Sequence, residues 1–492
     1  MLAAGALCST AFPELDLTPV MWVGIVPLLW ALQGAGGKRG AGLGFLFGLG
    51  FFATLLTWVS IIGVLGWVVL SLLQASFVAV FGAVWGRLSL RAGRSWERIV
   101  IPALLWVLLV EGLRSVVPVV GFTWGQIAQS QHDMTWLLKA ASVGGSWLVA
   151  GLVVACNASI LQAATAAARR QGRGAAAFVL LALLILVSPA LIPAASADGD
   201  ELRVAIVQGN IPRYMEPSYS KDLEILDNHL RLTSELAGRA DLIVWPESSV
   251  AEDPFIDETF RRALSDAAQA SGAPMIVGGN IERDDGKYQV MAFQVASDGR
   301  IVDQYHKTHL VPFGEYVPAR SLFDWIPALA QVPRDAVPGA EVGVFDINGK
   351  AVAPVISFEA DFGSLVRRRM ADGGRLLVVA TNTSTWEDSW ASAQHVAMSQ
   401  VRAAENGVFV VHAALTGISA FIAPDGTVLD ATDLWRSQTL IRDVRMATTT
   451  TLYSRWGDWV CWVALVVVVS WVATTRLRRR DRGDRPHSDT VG

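Results

Sequence analysis

Two patterns of hydrophobic and polar positions divide this chain. Long apolar runs fill its first 200 residues and return near its end, whereas the stretch between them alternates short apolar runs with polar segments. Runs near 18–35, 41–62, 65–86, 98–117, 136–163 and 174–194 approach or reach the length of about 20 residues that a helix needs to cross a bilayer. A further run extends from Trp459 to Val472, and the first dozen residues form a weaker candidate. That first stretch has no basic n-region and no A-x-A-like end, so it does not read as a cleaved signal peptide. The pattern predicts eight crossings, seven before the polar block and one after it.

From Leu202 the pattern changes. Leu202–Val207, Asp241–Trp245, Pro274–Val277, Ala351–Ser357, Leu376–Ala380 and Val408–His412 read as buried strands, with helix-like segments such as 220–238 and 257–271 between some of them. Strands alternating with helices predict a layered α/β domain of about 250 residues. The expected organisation is membrane helices over 1–197, an α/β domain over 198–455, a last membrane helix over 456–475 and a basic tail over 476–492. No phosphate-binding glycine motif and no internal repeat occurs.

Charge sharpens this division. Only 17% of the 492 residues are charged and 52% are hydrophobic, below and above the usual values for a soluble domain. Residues 201–475 hold 23 basic and 34 acidic side chains, a net charge of −11, which speaks against nucleic-acid binding. Lys38 and Arg39, then Arg87 to Arg98, then Arg169 to Arg173 lie in alternate loops, and basic loops stay cytoplasmic. Both termini are therefore expected in the cytoplasm and the α/β domain outside it. Glu111 and Arg114, three apart within one span, are expected on one helical face, paired or facing a wet cavity. The Gly121–Gly125 loop that follows, with Phe122 and Trp124, is a candidate lipid entrance.

Candidate chemistry gathers at strand ends. Glu247 closes Leu242-Ile243-Val244-Trp245-Pro246-Glu247, where burial would raise its pKa towards that of a useful base. Lys307 lies in a segment, Tyr305 to Glu315, that also holds His306, His309 and Glu315. Ser357 ends Pro354-Val355-Ile356-Ser357 and is followed by Phe358 and Glu359. Singly, each is more often structural: a helix cap, a surface lysine, a turn serine. Their grouping at three strand ends is what points to a site. The three cysteines, Cys8, Cys156 and Cys461, all lie in apolar runs and form neither a disulfide framework nor a zinc pattern.

A glutamate, a lysine and a nucleophile in that order resemble the nitrilase, or carbon–nitrogen hydrolase, superfamily. Seven helices before such a domain and one after it resemble its membrane-embedded apolipoprotein N-acyltransferase family. The resemblance rests on Gln208-Gly209-Asn210-Ile211, Trp245-Pro246-Glu247, and Lys307 to Pro318 with its Pro-Phe-Gly-Glu-Tyr-Val-Pro core. Gln394-His395, Arg402 to Asn406, Thr416 to Ser419 and Gly457-Asp458-Trp459 add to it, as do Glu111, Arg114, Gly121-Phe122, Trp124 and Asn157. It implies a polytopic α-helical bundle carrying an extracytoplasmic αββα sandwich, in a bacterial plasma membrane. It also implies transfer of an acyl chain from a glycerophospholipid to the N-terminal diacylglyceryl-cysteine of apolipoproteins, through an acyl-enzyme and without metal or cofactor. Glu247 would be the general base, Lys307 the oxyanion cation, Glu315 a second carboxylate on Lys307, and residue 357 the nucleophile, with Phe358 and Glu359 beside it. Relatives can be fused or paired with a polyprenol-phosphate mannosyltransferase, which makes that enzyme a possible partner.

The sequence departs from the family where it matters most. The family's nucleophile is cysteine, the slot here holds Ser357, and no cysteine lies between Asn157 and Val460. A hydroxyl ionises far less readily than a thiol and needs a base during attack. Glu247 could supply it, or Lys307 if desolvated and neutral. The run expected as Asn-Asp-x-Trp-Phe reads Asn382-Thr383-Ser384-Thr385-Trp386, and Met291 stands where an asparagine is frequent. Three function classes stay open at this level: a serine-based acyltransferase, a membrane-tethered amidase, and a non-catalytic scaffold that binds lipoproteins or a partner enzyme.

Overall fold

A computed structural model describes residues 1–117, 121–211, 218–322, 329, 332–340 and 343–483, with side chains in the last helix to residue 477. The expected basic tail falls largely outside the described residues. The helical part comprises α1 (Leu2–Ser9), α2 (Met21–Gly24), α3 (Val26–Ala31), α4 (Gly37–Leu55), α5 (Val59–Ile62), α6 (Val64–Leu88), α7 (Ser95–Trp106), α8 (Leu113–Val116), α9 (Thr135–Ala168) and α10 (Gly172–Val187). Among the described residues, five helical stretches are long and apolar enough to cross a membrane: Val64–Arg91, Ser95–Val116, Thr135–Ala168, Gly172–Leu191 and Trp459–Leu477.

The run expected over 18–35 is not one helix. Its backbone breaks at Ile25, and Asn157 of α9 fills the break. The Asn157 side chain accepts from the amides of Ile25 and Val26 at 3.0 and 3.1 Å and donates to the carbonyl of Met21 at 3.0 Å. Free backbone groups in an apolar setting must be satisfied internally, and a fully buried asparagine does so here. Helix α4 packs on α6 through small residues: a Cβ on Gly40 would lie 2.2 Å from the carbonyl oxygen of Gly82.

The α/β part carries twelve strands among the described residues, in two six-stranded sheets. The first has the order β12-β1-β2-β3-β4-β5 and the second β11-β10-β9-β8-β7-β6. Their ranges are β1 Glu201–Gln208, β2 Leu242–Val244, β3 Met275–Glu282, β4 Tyr288–Val295, β5 Ile301–His306, β6 Phe345–Ile347, β7 Lys350–Ile356, β8 Leu376–Thr381, β9 Val410–Ala414, β10 Ala420–Ile422, β11 Val428–Ala431 and β12 Gln438–Arg445. Each sheet centres on three parallel strands, β1–β2–β3 and β7–β8–β9. Helices α11 (Tyr219–Ser234) and α12 (Glu258–Ser271) cover one sheet, and α13 (Gly363–Ala371) and α14 (Ala391–Asn406) cover the other. A core built around Val204, Val244, Ile276, Val352, Val378 and Val411 lies between the sheets. This is the expected αββα sandwich. A short α15 (Leu452–Trp456) leads into α16 (Trp459–Gly483).

Six strands escaped the sequence reading: β4, β5, β6, β10, β11 and β12. Continuous apolar runs mark strands covered on both faces, whereas outer strands such as β5 and β12 alternate or lie largely open and so carry a weaker signal.

Candidate active site

Glu247 follows β2 on a turn whose next residue, Ser248, has φ +60°. Trp245 braces the turn from within the core, its indole N–H donating to the Thr233 hydroxyl at 2.9 Å. Across the turn, a Cβ on Gly278 would lie 2.3 Å from the carbonyl oxygen of Pro246 and 2.5 Å from the Glu247 Cα, so only glycine lets the segment pass this close. One Glu247 carboxylate oxygen accepts from Lys307 Nζ at 3.0 Å and the other from the amide of Asn382 at 2.8 Å.

Lys307 is 1% exposed and lies between two carboxylates, Glu247 and Glu315. The other oxygen of Glu315 accepts from the Val311 amide at 2.8 Å, which fixes that carboxylate on its own loop. Burial by itself would lower the Lys307 pKa, but Glu247 and Glu315 outweigh it and the net shift is upward. Burial also drives the Glu247 carboxyl above its ordinary range; Lys307 pulls it back and Glu315 pushes it further up. Lys307 is thus a held cation, unsuited to act as a neutral base, while Glu247 is poised closer to neutral pH than an exposed carboxylate.

Ser357 opens a 3₁₀ turn, Ser357–Asp361, directly after β7, with φ +47°. A non-glycine residue in that region is strained, and such strain gathers at functional sites. Its hydroxyl oxygen accepts a hydrogen bond from Thr381, the last residue of β8, at 3.1 Å. Glu359, fully buried, ties this elbow to the Lys307 segment. It accepts from Tyr305 OH at 2.6 Å, from the Thr308 amide and hydroxyl at 2.7 and 2.8 Å, from the His309 amide at 3.1 Å and from the Ile356 amide at 2.9 Å. Those bonds fix the two loops against each other.

The expected residues are therefore brought together, but not all as pairs. Glu247, Lys307 and Glu315 touch directly; Ser357 is linked to them through Thr381–Asn382 on one side and Glu359 on the other. Sequence reasoning missed Thr381. Its signal was weak, because a threonine ending a buried strand carries no motif of its own.

Phe358 points the site towards the helical part. Its ring stacks on Phe122 with centroids 5.9 Å apart, and Phe122 stacks on Trp124 at 6.0 Å. The Thr123 hydroxyl donates to the Asp361 carbonyl at 2.8 Å, and the Trp124 indole N–H to Gln394 at 2.6 Å. The loop expected to form a lipid entrance thus packs on the Ser357–Asp361 turn. Of the two arrangements expected for Glu111 and Arg114, no direct ion pair forms between them among the described residues, and both line one cavity with Gly125 and Ile127. Between α7 and α8 the backbone forms a π-helical turn, Val107–Gly112, which shifts the register. Glu111 accepts from the Trp106 indole at 3.3 Å and the Ile127 amide at 3.2 Å. Arg114 donates to Gln74 at 2.7 Å and to the Trp124 carbonyl, and stacks over Phe52 at 4.5 Å.

Residues 4–159 match the model of the apolipoprotein N-acyltransferase N-terminal domain, and residues 203–453, half of the chain, match that of carbon–nitrogen hydrolases. An apolipoprotein N-acyltransferase of Geobacter metallireducens is 31% identical over 478 residues, covering 92% of this chain and 90% of that protein. The chain belongs to the apolipoprotein N-acyltransferase family. Proteins of the same name from Gloeobacter violaceus and Mycolicibacterium smegmatis are 29% and 30% identical, each over 93% of this chain and over 90% and 81% of their own length. As a member of the N-acyltransferase family, the chain is a bacterial membrane acyltransferase built on the carbon–nitrogen hydrolase fold. The N-terminal match also sets it apart from an amidase that merely carries an anchor, because the helical part itself belongs to the N-acyltransferases.

Proposed function

We propose that this chain transfers an acyl chain from a membrane glycerophospholipid to the α-amine of a diacylglyceryl-cysteine at a lipoprotein N-terminus, with Ser357 as nucleophile. The observation that carries the reading is the Glu247–Lys307–Glu315 cluster beside a strained Ser357 elbow. Ser357 Oγ attacks the phospholipid ester carbonyl while Glu247 takes the hydroxyl proton. Lys307 stabilises the tetrahedral oxyanion, a developing charge for which a preorganised cation is worth several kcal/mol. Collapse breaks the ester C–O bond, and the departing glycerol oxygen takes the proton from Glu247, leaving acyl-serine. The amine then attacks that ester, Glu247 accepts its proton, and the proton returns to Ser357 as the amide forms. Two half-reactions through one covalent intermediate require ping-pong kinetics.

We take the Phe122 loop, which stacks on Phe358, as the lipid side of the site; Trp124, Glu111 and Arg114 are themselves buried. Alternate basic loops support both termini in the cytoplasm and the α/β domain outside it, where lipid-anchored substrates meet the site. A reporter fused after Arg480 should read as cytoplasmic; an extracytoplasmic reading would reverse the topology. None of the described residues supports a polyprenol-phosphate mannosyltransferase as a partner.

The test is purified protein in detergent with phospholipid and a diacylglyceryl peptide, followed by mass spectrometry. N-acylated peptide is expected, and the acyl adduct on Ser357 should map to its tryptic fragment. The serine itself favours a second reading, a scaffold that binds lipoproteins without chemistry. Absence of product from both the native chain and a Ser357→Cys variant would select it.

A further inference from the structure

We propose that Thr381 is a catalytic residue: its hydroxyl donates to the Ser357 oxygen and stabilises the charge that grows there as the proton leaves. This rests on the reading of Ser357 as nucleophile. Thr381 is fully buried at the end of β8, and its Oγ1 lies 3.1 Å from Ser357 Oγ. Its backbone is pinned to β9 and the residue that follows it. The Thr381 carbonyl accepts from the Leu415 amide at 3.1 Å, and the strand pairs with β9 at Ala414.

The next residue makes the arrangement specific. The Asn382 amide donates to Glu247 at 2.8 Å, so two consecutive residues hold the nucleophile and the base. A serine hydroxyl has one proton. With Thr381 donating into its oxygen, that proton is left free for Glu247. As attack proceeds, the neutral bond becomes a charge-assisted one, roughly twice as strong. That gain appears only in the transition state and so lowers the barrier.

The need is greatest for serine. A thiol loses its proton readily and its sulfur is a weak acceptor, so a cysteine in the same place would draw little from Thr381. The contribution of Thr381 should therefore depend on which atom attacks.

Full-length protein in detergent, phospholipid as acyl donor and mass spectrometric timing of acyl-enzyme formation supply the test. Thr381→Val, of similar shape but without the hydroxyl, should slow acylation about tenfold, the difference between a charge-assisted and a neutral hydrogen bond. Thr381→Ser should recover most of the rate, and Thr381→Ala serves as the second variant should valine not fold. In a Ser357→Cys background the same valine change should cost only a few-fold, a difference that a packing role would not produce. Equal losses in the two backgrounds, or a full rate in Thr381→Val, would overturn the proposal while leaving the nucleophile intact. An adduct mapped to a residue other than Ser357, or none in either background, would instead overturn the nucleophile reading and the role of Thr381 with it.

Discussion

At the scale of single residues, the site works by holding one cation between two anions in a buried place. Isolated, each of these charges would be costly there; together each offsets the desolvation of the others. Lys307→Met should therefore lower acyl-enzyme formation by about 10²- to 10³-fold, as loss of an oxyanion partner does elsewhere, with little change in phospholipid binding. The pH profile follows from Glu247. Its pKa is raised, and as the proposed base it takes a proton only when deprotonated, so activity should fall as pH drops through a value above the ordinary carboxylate range. Glu315 pushes that value up. Glu315→Gln should move the acid limb of kcat/KM to lower pH, and an unmoved limb would show that another group titrates. Ser357→Cys should raise the acylation rate about tenfold or more, because a thiol needs less help to ionise.

At the scale of elements, the groups of the proposed site stand where parallel strands end. Glu247 follows β2, Ser357 follows β7 and Thr381 ends β8, and the crevice at such strand ends is where open α/β sheets present their sites. The glycine in β3 is what lets the Glu247 turn settle. Gly278→Ala would force Pro246 and Glu247 away by a clash with backbone, which cannot rotate aside. We expect a loss of about 1–3 kcal/mol in stability and a far larger proportional loss in turnover, measured by thermal unfolding and by kcat on one preparation. Other parts of the recognised pattern proved to be stitching. Gln208 accepts from Ser419 at 2.6 Å and Thr432 at 2.9 Å and donates to two carbonyls, which joins strand ends of the two sheets.

Across the whole molecule, the helical and α/β parts meet through buried polar contacts as well as the aromatic loop. Helix α9 kinks at Gly144 and Gly145, and the freed Ser146 amide donates to Glu405 of α14 at 2.8 Å. The Trp147 indole donates to Asp458 at 2.7 Å, just before α16. Gly145 has φ +69° and faces the Tyr453 ring so closely that a Cβ would lie 2.6 Å from it. Gly145→Ala should therefore destabilise this joint by a few kcal/mol. The expected readout is a lower thermal midpoint in detergent with the site's chemistry, per folded molecule, nearly unchanged; an unaltered midpoint would deny the joint its role.

Much of this was legible in the order of residues. Apolar runs of bilayer length, the basic loops and the buried parallel strands depend on local composition and period, so they announced a membrane part and a layered α/β part; the αββα form came with the family resemblance. The nucleophile slot, Glu247 and Lys307 were legible because each closes a recognisable run. What the tertiary structure alone decided lies in contacts between distant segments. Asn157 heals a broken helix 131 and 132 residues away, a π turn sends Glu111 and Arg114 to separate partners, and Thr381 meets Ser357 across neighbouring strands. Outer strands went unread because one open face dilutes their apolar signal. Local pattern reflects what a residue's immediate neighbours require; a hydrogen bond between strand ends costs and gains free energy only once the sheet has formed.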